Sequence, residues 1–201
     1  LHEKLINYLR TYFYTGGMPE VIDYFRTQRD FEKVRSIQTK IVDSYRSDFS
    51  KHAPLDMLPR LNLVWNIIPQ QLAKENKKFI FSQIRKGARA SEFELAIEWL
   101  KQNGLIHKLS RIKTPNLPLM AYEEFNIFKI FLNDIGLLSA MCGLQAKTII
   151  KGNSIFKEFK GALTEQFVFS ELRKNKIYYW TKENGNSEVD FIIEHENQVI
   201  P

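Results

Sequence analysis

Hydrophobic residues recur at helical spacing along the first quarter of the chain. In "DFEKVRSIQTKIVDSYRSDF" they stand three or four positions apart, which predicts one amphipathic helix. The preceding stretch "LHEKLINYLRTYFYTGGMPEVIDYF" has the same spacing on both sides of Gly16 and Gly17. Two glycines followed by Pro19 are typical of a turn between helices, because proline fits the first turn of a new helix. The pattern therefore predicts a helical segment over residues 1–52.

Residues 53–120 show helical patterns followed by strand patterns. The stretches "LPRLNLVWNIIPQQLA", "FIFSQIRKGA" and "ASEFELAIEWLKQNG" each favour a helix. Ser91 is predicted to cap the third helix with Glu94 in a capping box, and Gly104 is predicted to end it. The inward face of that helix is predicted to hold Leu95, Ala96, Trp99 and Leu100.

Strand patterns follow that third helix. "LIHKLSRIK" reads as a strand, "TPNLPL" as a turn and "LMAY" as the partner strand. Three helices followed by a hairpin are the element order of a winged helix-turn-helix.

Residues 121–201 begin with a connector and a long helix. "FNIFKIFL" predicts a strand, and Asp134 is predicted to cap the short helix that follows it. In "SIFKEFKGALTEQFVFSELRKNK" the apolar face comprises Phe156, Phe159, Leu163 and Phe167. Glu165 lies on the opposite side, yet it is flanked there by apolar residues. Such a glutamate is either partly exposed near an interface or buried, and a buried one requires a proton, a cation or a metal ion.

Two strands and the start of a third follow this helix. "IYYWT" is rich in strand-forming residues, Asn184-Gly185 is a strong hairpin signal, and "EVDFII" returns antiparallel. Alternation along "EVDFII" places Val189, Phe191 and Ile193 on one face and Asp190 on the other. "QVIP" is predicted to begin a third strand. The whole chain is therefore expected to be α+β and mostly helical.

Charge and composition narrow the possible partners. The net charge of +6 lies entirely between Lys77 and Lys113, a window with nine bases and three acids. The predicted nucleic-acid-binding residues in this window are Arg85, Lys86, Arg89, Lys108, Arg111 and Lys113. The would-be recognition helix carries Glu92, Glu94 and Glu98, which disfavours reading of the major groove. Contact with the DNA backbone through the wing and binding of a partner protein both stay open.

Other compositional features exclude some classes of function. The chain has one cysteine, so it has no internal disulfide and no multi-cysteine zinc site, and a cytoplasmic location is expected. Its longest apolar run, "IGLLSAMCGL", is half of the roughly 20 residues that a membrane helix needs, so no membrane is expected. No G-x-x-x-x-G-K-[ST] loop occurs, so these residues encode no ATP site of that type.

The order of helix with Glu165, strand, strand with Asp190 and a further strand resembles the PD-(D/E)xK, or restriction-endonuclease-like, fold. The resemblance implies a truncated nuclease-like α/β core in which Glu165 and Asp190 are catalytic and bind Mg²⁺ or Mn²⁺. The family's third acid and lysine, in an E-x-K on the next strand, are expected beyond Pro201. Cleavage by this chain is therefore left open.

The stretches "GGMPEVIDYF", "FKIFLNDIGLL" and "GALTEQFVFSEL…IYYWTKENGNSEVDFIIEHENQVIP" are similar to the C-terminal region of a prokaryotic AAA+ ATPase family. That family carries a domain of unknown function after the ATPase. The similarity implies an ATPase module upstream of Leu1, which would bind the ATP, with residues 1–52 as its helical lid and linker. It leaves two hypotheses: a DNA-handling region with a nuclease-like domain, or a non-catalytic module that binds a protein and regulates the ATPase.

Overall fold

The computed structural model describes residues 1–74, 78–152, 154–183, 185 and 187–201. Three elements of the sequence predictions lie outside the described residues. They are Lys77 of the basic window, Asn184 of the hairpin signal and the side chain of Phe156.

Helices dominate the described part of the chain. The α-helices are α1 (His2–Thr15), α2 (Pro19–Gln28), α3 (Phe31–His52), α4 (Leu58–Ala73), α5 (Ala90–Gln102), α6 (Ile135–Met141), α7 (Ala146–Lys151) and α8 (Ser154–Leu172). The strands are β1 (Ile106–Ile112), β2 (Glu123–Leu132), β3 (Ile177–Thr181), β4 (Glu188–His195) and β5 (Gln198–Ile200). Helices make up 57% of the chain, which confirms the predicted mostly helical α+β class.

The five strands form one mixed sheet in the order β2-β1-β3-β4-β5. β1 pairs parallel with β3, and the other neighbours pair antiparallel. Strands from the predicted segments 53–120 and 121–201 thus share one sheet. The division into segments 1–52, 53–120 and 121–201 stays a prediction.

Side chains of β2 alternate between two packed faces of the sheet, as the strand geometry requires. Phe131 stacks on Phe169 of α8, with ring centroids 4.3 Å apart. Phe128 points the other way and stacks on Phe79 at 5.8 Å. The alternation therefore directs Lys129, two residues before Phe131, towards α8.

Gln166 fixes the position of α8 against β2. Its side chain is fully buried, accepts a hydrogen bond from the Leu132 N–H at 3.0 Å and donates to the Leu132 carbonyl at 2.8 Å. These bonds satisfy both backbone groups of Leu132 at the edge of the sheet. They also place the adjacent Glu165 over the same part of β2.

The predicted turn at Gly16-Gly17, the helix start at Pro19 and the caps at Gly104 and Asp134 are confirmed. Pro19 is the first residue of α2, and the Asp134 side chain accepts from the Leu137 N–H at the start of α6. Gly104 follows α5 with φ +69°. Its N–H donates to Lys101, and the next N–H donates to Leu100, which is the bonding pattern of a glycine-terminated helix.

The prediction for the start of α5 is wrong by two residues. α5 begins at Ala90, and the side chain of Glu92 accepts from the Arg89 N–H at 3.3 Å, so Ser91 with Glu94 is not its cap. Its inward face was also misassigned. Leu95 is 72% exposed and Trp99 is half-buried, whereas the buried face comprises Phe93, Ala96, Ile97 and Leu100.

Two further predictions in residues 79–122 are wrong. "FIFSQIRKGA" contains only a short 3₁₀ helix at Phe81–Gln83, and "LMAY" is a 3₁₀ helix at Leu119–Tyr122 rather than a strand. Leu119 turns inward and is fully buried beside Ile112. The partner of β1 is β2, in which Glu123 pairs with Ile112. The winged-helix assignment stays a prediction.

Candidate functional site

Lys129 is a buried cation in the middle of an apolar strand. It lies on β2 opposite Leu109 of β1, and it is only 7% exposed. Its ammonium lies 5.3 Å from the centre of the fully buried Tyr179 ring. A lysine is seldom buried this deeply unless it is paired, so its partners define the site.

Glu165 is the first partner of Lys129. Its Oε1 lies 2.5 Å from the Lys129 Nζ, and its side chain is 14% exposed. Burial raises the pKa of the Glu165 carboxyl, and Asp190 and Glu188 raise it further, while Lys129 acts in the opposite direction. Glu165 thus lies between the two environments predicted for it: it is mostly but not fully buried, and a cation lies beside it.

Asp190 is the second partner of Lys129. Its Oδ1 lies 3.1 Å from the Lys129 Nζ, and its side chain is 51% exposed. Burial alone would lower the pKa of Lys129, but the charges and hydrogen bonds of Glu165 and Asp190 outweigh it, so the pKa is raised. Lys129 is therefore an ammonium at neutral pH.

A β-bulge in β4 places Asp190 beside Lys129. Tyr178 pairs with Ile192 and Trp180 pairs with Val189, so Asp190 and Phe191 together oppose the single residue Tyr179. The predicted strict alternation in "EVDFII" is therefore wrong at this point. Bulges redirect side chains and are common near functional sites.

The cluster of Lys129, Glu165 and Asp190, which we call the lysine cluster, lines an open pocket. The pocket has a volume of about 440 Å³. Its other lining residues are Lys160, Gly161, Thr164, Val168, Glu188 and Phe191. Solvent and ions therefore have access to the exposed side of the cluster.

The arrangement does not fit a bridging divalent ion while Lys129 is in place. Mg²⁺ binds carboxylate oxygens at roughly 2.0–2.1 Å. The Lys129 ammonium lies within 3.1 Å of Oε1 of Glu165 and Oδ1 of Asp190, in the space that an ion bridging these two oxygens would need. Among the described residues, no group of three His, Cys, Asp or Glu side chains is arranged to hold a metal.

Lys129 is not among the predicted site residues, because the resemblance to nucleases implies a lysine on a strand after β4. The signal that could have found it is "FNIFKIFL", in which one lysine lies among apolar residues of a strand. Its partners lie 36 and 61 residues away, so the pairing itself has no local pattern.

Three of the predicted nucleic-acid-binding residues already have partners within the protein. Arg111 is 15% exposed and holds Glu124 through two hydrogen bonds of 2.7 and 3.1 Å. Arg85 pairs with Glu92. Lys108 is half-buried, with its ammonium 4.3 Å from the centre of the Phe128 ring.

The other three predicted bases are exposed to solvent. They are Lys86, Arg89 and Lys113. The six bases therefore differ in how free they are to contact phosphates, and nucleic-acid binding by them stays a prediction.

An apolar groove lies beside α5, on the side predicted to approach DNA. It has a volume of about 290 Å³ and includes Leu95 and Phe125, which are 72% and 67% exposed. Phe81, Ile97 and Phe128 form its floor, and Glu94, Glu98 and Lys108 lie at its margin. Large exposed apolar side chains in one groove are typical of a protein-binding surface.

Asp134 forms a second buried carboxylate site. It accepts from the Gly17 N–H at 2.7 Å through Oδ2 and from the Leu137 N–H at 2.9 Å through Oδ1. Burial raises the pKa of its carboxyl, although these hydrogen bonds act in the opposite direction. The charge is met by backbone dipoles, so Asp134 links the turn at Gly16-Gly17 to the start of α6.

Comparison with known families assigns the chain to a domain of unknown function. The DUF8612 model matches residues 6–148, which is more than half of the chain, and the chain belongs to that family. A second domain of unknown function, DUF4143, matches residues 160–201. Lys129 thus lies in the first match, whereas Glu165 and Asp190 lie in the second.

No curated protein and no solved structure matches the chain. Within the described part of the chain, no helix combines the length and apolar character that a membrane span requires.

Proposed function

We propose that this chain is a non-catalytic, partner-binding region that regulates an ATPase module of the same protein. Domains of the DUF4143 type are often found with ATPases, which supports the association. The chain has no phosphate-binding loop of its own. Its role would therefore be to respond to, or act on, a module that hydrolyses ATP.

The observation that carries the non-catalytic role is the position of Lys129. Metal-dependent phosphodiester hydrolysis needs carboxylates that are free to hold the ion. Here the carboxylates of Glu165 and Asp190 both contact one buried ammonium. This arrangement is suited to holding α8, β2 and β4 together rather than to activating water.

The groove beside α5 is the surface that we assign to the partner. Leu95 and Phe125 offer apolar contact. At the margin, Glu98 is paired with Lys101 at 3.2 Å, and Glu94 and Lys108 carry opposite charges. These features fit a helix or loop of the ATPase module that presents apolar side chains with few charges beside them.

The test uses the protein that contains both this chain and the ATPase module. The double change Leu95→Asp and Phe125→Asp should alter the rate of ATP hydrolysis at least about two-fold, because charge in the groove disfavours apolar docking. Leu55→Asp is the matched control, because Leu55 is 82% exposed and lies outside the groove. Equal rates in all three proteins, or a reading frame without an ATPase module, would overturn the proposal.

The second candidate is DNA handling with a metal-dependent nuclease, and the exposure of Lys86, Arg89 and Lys113 favours its DNA-binding part. If these residues contact phosphates, reversing their charges should weaken DNA binding and lower the salt dependence by about 2–3 in log–log slope. Anisotropy of labelled DNA across a salt series measures both effects.

The nuclease part has a separate test. Nicking of DNA by the wild-type protein with Mn²⁺, lost in Asp190→Asn, would replace our proposal by this second candidate. The proposal predicts no nicking by either protein on DNA or RNA.

A further inference from the structure

We propose that Lys129 is a built-in counter-cation that keeps divalent ions out of the lysine cluster, and that replacing it creates a divalent-cation site on Glu165 and Asp190. Unlike the groove of the proposed function, this inference concerns only the chemistry of the cluster. It rests on the positions of three side chains and one pocket.

The distances within the lysine cluster show how Lys129 would exclude a second cation. The Lys129 Nζ lies 2.5 Å from Glu165 and 3.1 Å from Asp190, so one cation already contacts both carboxylates. A divalent ion shared by these same two oxygens would have to lie in the space of the ammonium. Two cations this close repel each other, and more strongly beside the mostly buried Glu165 than in water.

The fold also restricts the movement of the Lys129 ammonium. Lys129 is 7% exposed, and its ammonium lies 5.3 Å from the centre of the buried Tyr179 ring, with Val168 and Phe191 lining the same pocket. Moving its charge away from both carboxylates would leave a mostly buried ammonium without a partner, which is unfavourable. A dissolved ion therefore has to compete with a cation that the fold holds in place.

Replacement of Lys129 would leave Glu165 and Asp190 without their shared cation. Methionine keeps the length and apolar stem of lysine but carries no charge. Glu165 and Asp190 would then face each other across the pocket, with Glu188 at its margin. Carboxylates and water around an open space are the ligands that Mg²⁺, Mn²⁺ and Ca²⁺ prefer.

The experiment uses the 201-residue chain as wild type and as Lys129→Met. Mn²⁺ binding is measured by electron paramagnetic resonance, and Tm is measured with and without Mn²⁺. Wild type should bind no Mn²⁺ at the cluster at about 1 mM, whereas the variant should bind one ion and gain Tm. Lys129→Met combined with Asp190→Asn is the matched control and should lose the ion.

A second variant, Lys129→Gln, keeps the proposal testable if Lys129→Met does not fold. Lys129→Gln removes the charge, but its amide still donates to a carboxylate, and it should also gain Mn²⁺ affinity of at least about ten-fold over wild type. Folded Lys129→Met or Lys129→Gln that binds no Mn²⁺ would overturn the proposal. One Mn²⁺ bound by wild type and lost in Asp190→Asn would overturn it as well, whatever the variants do.

Discussion

Asp134 and Glu165 are both acids buried against the sheet and its helices, and burial raises the pKa of each, but their charges are met in different ways. Asp134 accepts hydrogen bonds from the backbone N–H groups of Gly17 and Leu137. Glu165 contacts the ammonium of Lys129. One site is neutralised by backbone dipoles, the other by a second charged side chain.

The difference shows why only one of the two sites follows from local sequence. Capping is a short-range relation, because the carboxylate of Asp134 and the N–H of Leu137 are three residues apart. The lysine cluster combines β2, α8 and β4, which meet only in the folded chain. A site held by backbone groups should tolerate loss of its charge, whereas a site held by a buried ion pair should not.

The largest effect should come from Lys129→Met. This change leaves Glu165 buried without its cation, and removing one partner of a buried ion pair costs about 3–5 kcal/mol. The free energy of unfolding at pH 7, measured in guanidinium chloride without metal ions, should fall by that amount. Lys160→Met is the control, because Lys160 lines the same pocket but is exposed. A loss below about 1 kcal/mol for Lys129→Met would mean that the cluster is not structural.

The next effect should come from Gly16→Ala. Gly16 has φ +66°, and a Cβ there would lie 2.2 Å from Oδ1 of Asp134 and 2.7 Å from the Gly136 nitrogen. With ψ at −160°, Gly16 lies in a backbone region that is essentially restricted to glycine, and this strain and the overpacking together should lower the free energy of unfolding by roughly 2–4 kcal/mol.

Gly143→Ala is the control for that change. Gly143 has the same φ of +66°, but a Cβ there would have nothing within 4 Å. It should cost only about 1–2 kcal/mol. Equal losses in the two variants would show that neither the close approach to Asp134 nor the ψ of −160° at Gly16 adds to the cost of a positive φ.

A smaller effect should come from Asp134→Asn. An amide keeps one acceptor oxygen, so either the Gly17 N–H or the Leu137 N–H loses its partner, at a cost of about 1–2 kcal/mol. Asp30→Asn is the control, because Asp30 caps α3 at an exposed position through a single oxygen. Asparagine and aspartate are nearly equivalent at such a cap, so its unfolding curve should change by only a few tenths of a kcal/mol. Equal losses of unfolding free energy in the two variants would show that the buried hydrogen bond from the Gly17 N–H contributes no more than an exposed cap.

The sequence predicts most elements of the fold because their signals are local. The bounds of α4 and the cap at Asp134 follow from apolar spacing and from one helix-capping residue. The predictions for Leu95 and for "LMAY" fail where tertiary contacts decide. Leu119 turns inward to fill the cluster beside Ile112, and β2 rather than "LMAY" pairs with β1.

The residues of the candidate site also differ in how far the sequence predicts them. Glu165 was suspected because an acid among apolar neighbours needs a counter-charge. Asp190 could be placed on a strand, but the bulge that turns it towards Lys129 depends on the register with β3. Lys129 has a local signal, the lone lysine among the apolar residues of "FNIFKIFL". Its partners are defined only by how the sheet and α8 pack.

The smallest effect is a pH dependence of stability that the two acids share. Because the pKa of Glu165 is raised in the folded protein, the native state binds more protons than the unfolded state between the usual glutamate pKa and the folded pKa. The contribution of Glu165 to the free energy of unfolding should therefore rise as pH falls from neutral through this window. The difference between wild type and Glu165→Gln, measured from pH 7 to pH 4, should show that slope. The difference between wild type and Asp134→Asn should have the same sign, because the pKa of Asp134 is also raised. A slope of opposite sign for Glu165 would mean that Lys129 outweighs burial and that the ion pair controls the titration of the cluster.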